Sequence, residues 1–220
     1  MRLYHGTSLA AWRDIEAAGG IKPRSETNGS GRKVWHEHPS NPEMIYLTDC
    51  YGMYFAGAAS HEHDSADAAV LIEVEVDPED LFPDEDFLEA ATRTMTELPI
   101  YGADLAERTE FFRERLWLYP HLAKDSLAHL GTVAHNGEIP IEKITRVVTF
   151  NPIPLTFVFD PTITMINHSI MSDYYESGTA WIMDGTPVSS NYNMNAPEVW
   201  EKLRTEIGAT TIYENSEEAA

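Results

Sequence analysis

The chain has 220 residues, 43% of them hydrophobic, enough to build a core in one large domain or one domain with an appendage. A formal net charge of −21 works against general attraction to a nucleic-acid backbone, and a single Cys50 excludes an internal disulfide and any multi-cysteine zinc site. No apolar run of about 18 residues is present to cross a membrane and no apolar leader opens the chain, so a cytoplasmic protein without a membrane partner is expected.

In chain order, residues 2–5 read as a strand, with Leu3 and Tyr4 opening the core. Ser8 suits the N-cap of a helix over residues 9–18, where Leu9, Trp12 and Ile15 keep helical spacing, and Gly19-Gly20 ends it. Residues 24–43 are polar, rich in Gly, Asn, Ser and Pro, and read as a long loop of the kind that often serves function. A second strand is expected at 45–48 and a small-residue helix at 51–60, followed by a polar connection over 61–68. Residues 70–76 are the clearest strand, because Ile72, Val74 and Val76 alternate with Glu73 and Glu75.

Asp77-Pro78 stops that strand, and the acidic run Asp84-Glu85-Asp86 reads as the start of a helix over 87–97. Further helices are expected at 104–119 and 125–130. A strand at 132–135 enters an Asn136-Gly137 turn, and another follows at 146–150. Beyond Asn151-Pro152, strands are expected at 155–159 and 162–166, irregular chain at 168–197, and a last helix from Pro197 to about Ile207 before a ragged acidic tail. The pattern is α+β: one domain over 1–150, with 151–220 an extension packed on it.

The motifs stand in a fixed order. His5-Gly6-Thr7 ends the first strand, and Tyr46-Leu47-Thr48 ends the second after an intervening Gly-Ile-Lys-Pro at 20–23. An alanine-rich helix, a Leu-Ile-Glu-Val-Glu-Val-Asp strand at 71–77 and a closing segment at 131–144 complete the series. Over roughly residues 1–148 this order resembles the ADP-ribosyltransferase superfamily, in particular its His-Tyr-Glu branch. That branch includes diphtheria-like toxins, poly(ADP-ribose) polymerases, DNA-targeting ADP-ribosyltransferase toxins and, more distantly, RNA 2′-phosphotransferases.

The resemblance implies split antiparallel β-sheets, flanked by helices, that form a cleft for NAD as a substrate. His5 would bond the ribose of the nicotinamide half, Gly6 would open its backbone to the carboxamide and Thr7 would assist. Tyr46 would stack on the nicotinamide ring, with Thr48 and Tyr54 walling the same pocket. Arg24, Arg32 and Lys33 would meet the pyrophosphate; residues 1–40 hold six Lys/Arg against four Asp/Glu, whereas 41–220 hold nine against thirty-two. The implied reaction cleaves the nicotinamide–ribose bond through an oxocarbenium-like state and transfers ADP-ribose to a nucleic-acid or protein acceptor. A carboxylate near the ribose stabilises that charge.

In DNA-targeting relatives a glutamate begins the strand before an Ile-Pro-Pro-Glu-like segment, and counting back from Ile139-Pro140 puts Thr132 there. Three readings follow. Glu138, or one of Asp84, Glu85 and Asp86, serves as the acid; basic residues replace it, as in the phosphotransferases; or the pocket binds a nucleotide without transfer. Each residue also has a plainer reading. His5 and Tyr46 fit as core residues, Thr7 as a helix starter, Ser126 and Thr132 as turn and capping residues, and His135 as a surface or rim residue. His36/His38 and His61/His63 lie in polar sequence that favours solvation over metal binding, and Cys50 fits as a buried thiol. The acidic composition itself fits a soluble surface before it fits a mimic of DNA charge.

Overall fold

The computed structural model describes residues 1–27, 40–49, 52–63, 67–150, 182–183, 186–187 and 208–215, with the side chains of 53, 54, 61–63, 182–183 and 186–187 outside that description. In chain order the elements are β1 (Arg2–Ser8), α1 (Leu9–Ala18), β2 (Gly20–Ile21), β3 (Met44–Thr48), α2 (Gly52–His63), β4 (Ala69–Glu75), β5 (Leu81–Pro83), α3 (Glu85–Thr92), α4 (Leu105–Arg113), α5 (Ala123–Leu130), β6 (Thr132–Asn136), β7 (Ile139–Pro140), β8 (Ile144–Phe150), β9 (Ile182–Met183), β10 (Thr186–Pro187) and β11 (Thr210–Glu214). The fold class is α+β, as expected from the sequence. Among the described residues, no helix is long and apolar enough to cross a membrane.

The chain divides into two compact units: 1–21, 48–76 and 139–220 form the first, and 22–47 with 77–138 form the second. In the first, β11, β8, β4 and β1 are neighbours in that order, all antiparallel. Thr48, the last residue of β3, pairs with Tyr4. The seven residues of β1 each pair with β4, from Arg2↔Glu75 to Ser8↔Ala69. Leu3, Val70, Ile72, Val74, Ile144 and Val147 are completely buried here, each side chain contributing about 1.5–3 kcal/mol through removal from water. A smaller β2–β7 pair, Gly20↔Pro140 and Ile21↔Ile139, closes the end of α1, and β9 pairs with β10.

Helix α1 has the expected bounds. Ser8 Oγ accepts the Ala11 N–H at 3.2 Å, and Gly19 at φ +79° ends the helix by donating its N–H to Ile15 and Glu16 carbonyls. The expected ragged tail is instead β11 over 210–214, because Thr210, Thr211, Ile212 and Tyr213 are strand-forming residues, and Tyr213 meets Trp12 at 5.8 Å between ring centroids. The strands expected at 155–159 and 162–166, and the helix from 197 to 207, lie outside the described residues.

In the second unit β3, β6 and β5 are neighbours in that order, and β5 runs antiparallel to β6. Met44, Phe87, Leu88, Phe112, Leu116 and Ala134 form its core, with Tyr46, Phe82, Phe111 and Tyr119 packed against them. Several helix bounds differ from expectation. Helix α3 begins at Glu85, since Asp84 is its N-cap, and ends at Thr92. The helix expected over 104–119 is α4 alone, Asp104 capping it by accepting the Glu107 N–H, followed by two 3-10 turns at Leu116–Leu118 and Pro120–Leu122. Pro120 cannot continue a helical ladder, and Arg115 leaves the helical region at φ −133°. Residues 61–63, expected as connection, extend α2.

Candidate functional site

In the first unit, β1 alternates along its length. A Cβ built at Gly6 would lie 2.3 Å from the Ala56 nitrogen and 2.5 Å from the Gly52 carbonyl oxygen, so Gly6 faces α2 and α2 lies directly on the strand backbone. Period two places Tyr4 on that same face and puts Leu3, His5 and Thr7 on the other. His5 is half-buried opposite Ile72, and Thr7 is buried opposite Val70. Glycine at position 6 is therefore demanded by helix packing, whatever ligand approaches the strand. Thr48 is buried beside Tyr4, and Tyr54 lies on α2 with its side chain outside the description.

In the second unit, the Tyr46 hydroxyl donates to Glu85 Oε2 at 2.5 Å and accepts the Asn41 N–H at 3.0 Å. Thirty-nine residues separate Tyr46 from Glu85; β3 delivers the phenol, and the N-terminal turn of α3 delivers the carboxyl. Burial, reinforced by the charges of Glu85 and Asp84, pushes the Tyr46 phenol far above its ordinary pKa, so it remains a hydrogen-bond donor throughout the physiological range.

Behind Glu85 stands Asp84. Register Leu81↔His135, Phe82↔Ala134, Pro83↔Val133, continued by one residue, sets Asp84 opposite Thr132. Its two oxygens are each held: Oδ1 accepts the Asp86 N–H at 2.9 Å and Oδ2 accepts the Thr132 hydroxyl at 2.7 Å. Ser126 Oγ pins the same corner, accepting the Asp84 N–H at 3.0 Å and donating to the Thr132 carbonyl at 2.8 Å. Burial and the Asp86 charge push Asp84 up to about 6, against the two bonds it accepts. Burial and the Asp84 charge push Glu85 up to about 7, against the Tyr46 bond. Two adjacent carboxyls in one buried corner cannot both ionise cheaply, so near neutrality the pair retains a proton that water-exposed acids would have lost.

Other expected site residues fall elsewhere. Glu138 is exposed in the turn between β6 and β7, where Gly137 takes φ +78°. Arg24 is exposed and its Nη2 donates to the Ser40 carbonyl at 2.8 Å. Arg32, Lys33, His36, His38 and Cys50 lie outside the described residues. His61 and His63 lie on helix α2 with their side chains outside the description. His135, expected at the surface or a rim, is buried on β6, its Nδ1 3.3 Å from the Gly137 carbonyl. Among the described residues, no group of three His, Cys, Asp or Glu side chains is arranged to hold a metal ion.

Sequence reasoning weighed Asp84, Glu85 and Asp86 chiefly as a helix cap, which Asp84 indeed is. It missed Asn41. The signal available for the acids was their number: a cap needs one, and the second here meets a tyrosine. Position 132, where the resemblance expects glutamate, thus carries a threonine bonded to a carboxylate from the neighbouring strand's exit. No protein-family model matches this chain, and no curated protein matches it.

Proposed function

We propose that the chain is an NAD-dependent ADP-ribosyltransferase-like enzyme on the split-sheet fold of that superfamily. It cleaves the nicotinamide–ribose bond and passes ADP-ribose to a nucleic-acid or protein acceptor. One observation supports this reading: Glu85 is bonded to Tyr46, which puts a carboxyl beside the tyrosine that the resemblance assigns to the nicotinamide. In this reading Glu85 takes the role first considered for Glu138.

His5 and Thr7 share one face of β1, where this reading puts the ribose of the nicotinamide half. As the glycosidic C1′–N bond breaks, its electron pair leaves with neutral nicotinamide and positive charge develops on the ribose. A fixed carboxylate then stabilises the transition state more than the ground state. The Tyr46 phenol, donating to Glu85 Oε2, holds that carboxylate in place.

The protonation of the pair favours a second reading, nucleotide binding without transfer, because a neutral carboxyl gives a cation little help. Incubation with NAD and quantitation of released nicotinamide tests both. Transfer predicts release that falls about 100-fold in Glu85→Gln. Calorimetric NAD binding with no release at pH 8 selects the binding module. Absence of any NAD binding removes both.

A further inference from the structure

We propose that Asn41 is a positioning residue that holds the Tyr46 phenol against Glu85 by tying the turn before β3 to the end of α4. The inference rests on the reading of Tyr46 as the ring that meets nicotinamide.

Asn41 is buried, and its polar groups are all committed. Its side-chain Nδ2 donates to the Arg113 carbonyl at 2.8 Å, its Oδ1 accepts the Glu43 N–H at 2.9 Å, its carbonyl accepts the Met44 N–H at 3.2 Å, and its N–H donates to the Tyr46 hydroxyl at 3.0 Å. The first bond satisfies one of the final carbonyls of α4, which have no partner inside the helix. The second and third close an Asx-type turn that folds the chain back along β3, so a backbone N–H five residues earlier reaches the tip of the ring.

The amide carries its donor and its acceptor on separate atoms, so one side-chain end bonds the Arg113 carbonyl and the Glu43 N–H at once. Aspartate would lose the donor toward Arg113, and serine keeps an acceptor for Glu43 but is too short to reach α4. The consequence for Tyr46 is directional. With the Asn41 N–H on one lone pair, the hydroxyl hydrogen is left to Glu85, and both ring position and O–H direction are set before a ligand arrives. Pre-set geometry of this kind removes an ordering cost from binding.

The test uses the full chain carrying tyrosine labelled with ¹³C at Cζ, the Tyr46 resonance being assigned by its absence in Tyr46→Phe. In Asn41→Ala and Asn41→Ser the resonance should shift or broaden, and the NAD Kd should rise about five- to tenfold. In a Tyr46→Phe background the same substitutions should change Kd by less than about twofold, because the effect passes through the phenol. An unmoved resonance in both variants overturns the proposal. So does an equal loss of affinity with and without the phenol. Should the wild-type chain bind no NAD, the functional reading falls, and the resonance alone decides the clamp: a shift supports it and no shift overturns it.

Discussion

The Thr132 hydroxyl donates to the Asp84 carboxylate at 2.7 Å, linking the first residue of β6 to the N-cap of α3. Both residues are buried, so neither group has water as a substitute. Thr132→Val keeps the shape and removes the donor. The Asp84 midpoint should then climb above about 6, and stability should drop by about 1–3 kcal/mol. Carboxyl ¹³C titration and urea unfolding measure the two. A midpoint that stays put would mean the bond does not hold the charge.

The acid pair sets a direction for stability against pH. Asp84 and Glu85 have native pKa values raised to about 6 and about 7 from 3.8 and 4.5. Between about pH 4 and pH 7 the native state therefore binds more protons than the unfolded chain, and their contribution declines as pH rises. Glu85→Gln should gain on the wild type between pH 4.5 and pH 7.5 in urea midpoints. Parallel wild-type and variant curves over that range would contradict the assignment.

Catalysis, if it uses the Glu85 anion, should run the other way. Nicotinamide release should increase as pH passes through about 7. Asp84→Asn removes a neighbouring negative charge that raises Glu85, so the limb of the rate profile should move to lower pH. Glu138→Gln, altering an exposed turn residue, should leave the profile in place. A limb that moves in Glu138→Gln and not in Asp84→Asn would return the acid role to Glu138.

Glu89 and Arg108 form a buried pair at 3.0 Å, and the same guanidinium donates to the Glu89 carbonyl, Thr92 Oγ1 and the Ile100 carbonyl. Arg108→Ala leaves Glu89 with Arg93 alone and takes a donor from three further acceptors, and should destabilise by about 1–3 kcal/mol. Arg93 also bonds Glu89 but from an exposed position, and Arg93→Ala should change stability little. Comparable losses in the two variants would show that burial does not govern this network.

Deleting residues 208–220 would uncover the outer edge of β8 and remove Tyr213 from Trp12. An unpaired edge rich in Val and Thr recruits other chains. The truncated protein should scatter light at concentrations where the full chain does not; equal scattering would show that the edge is protected otherwise.

Local chemistry was legible in the sequence, and long-range pairing was not. Ser8 and Gly19 announced their roles because caps are written in adjacent residues, and period two located β4, although Glu73, which that period set apart from Ile72 and Val74, is buried like them. Strand β5 was missed because three residues, Leu81-Phe82-Pro83, carry no period and form a strand only through β6, some fifty residues on. Likewise Asp84 was readable as a cap, while its bond to Thr132 and the meeting of Glu85 with Tyr46 depend on which strands become neighbours. Asn41 left no trace, since its partner is a main-chain carbonyl seventy-two residues away and any residue could supply that.

Gly6 gives β1 and α2 a common fate. With the helix backbone pressed against the strand at that point, neither can slide or tilt without the other, and even one methyl group would push them apart. His5 and Thr7, on the far side of the strand, therefore inherit their orientation from a residue that has no side chain, and a ligand bound there would register any shift of α2.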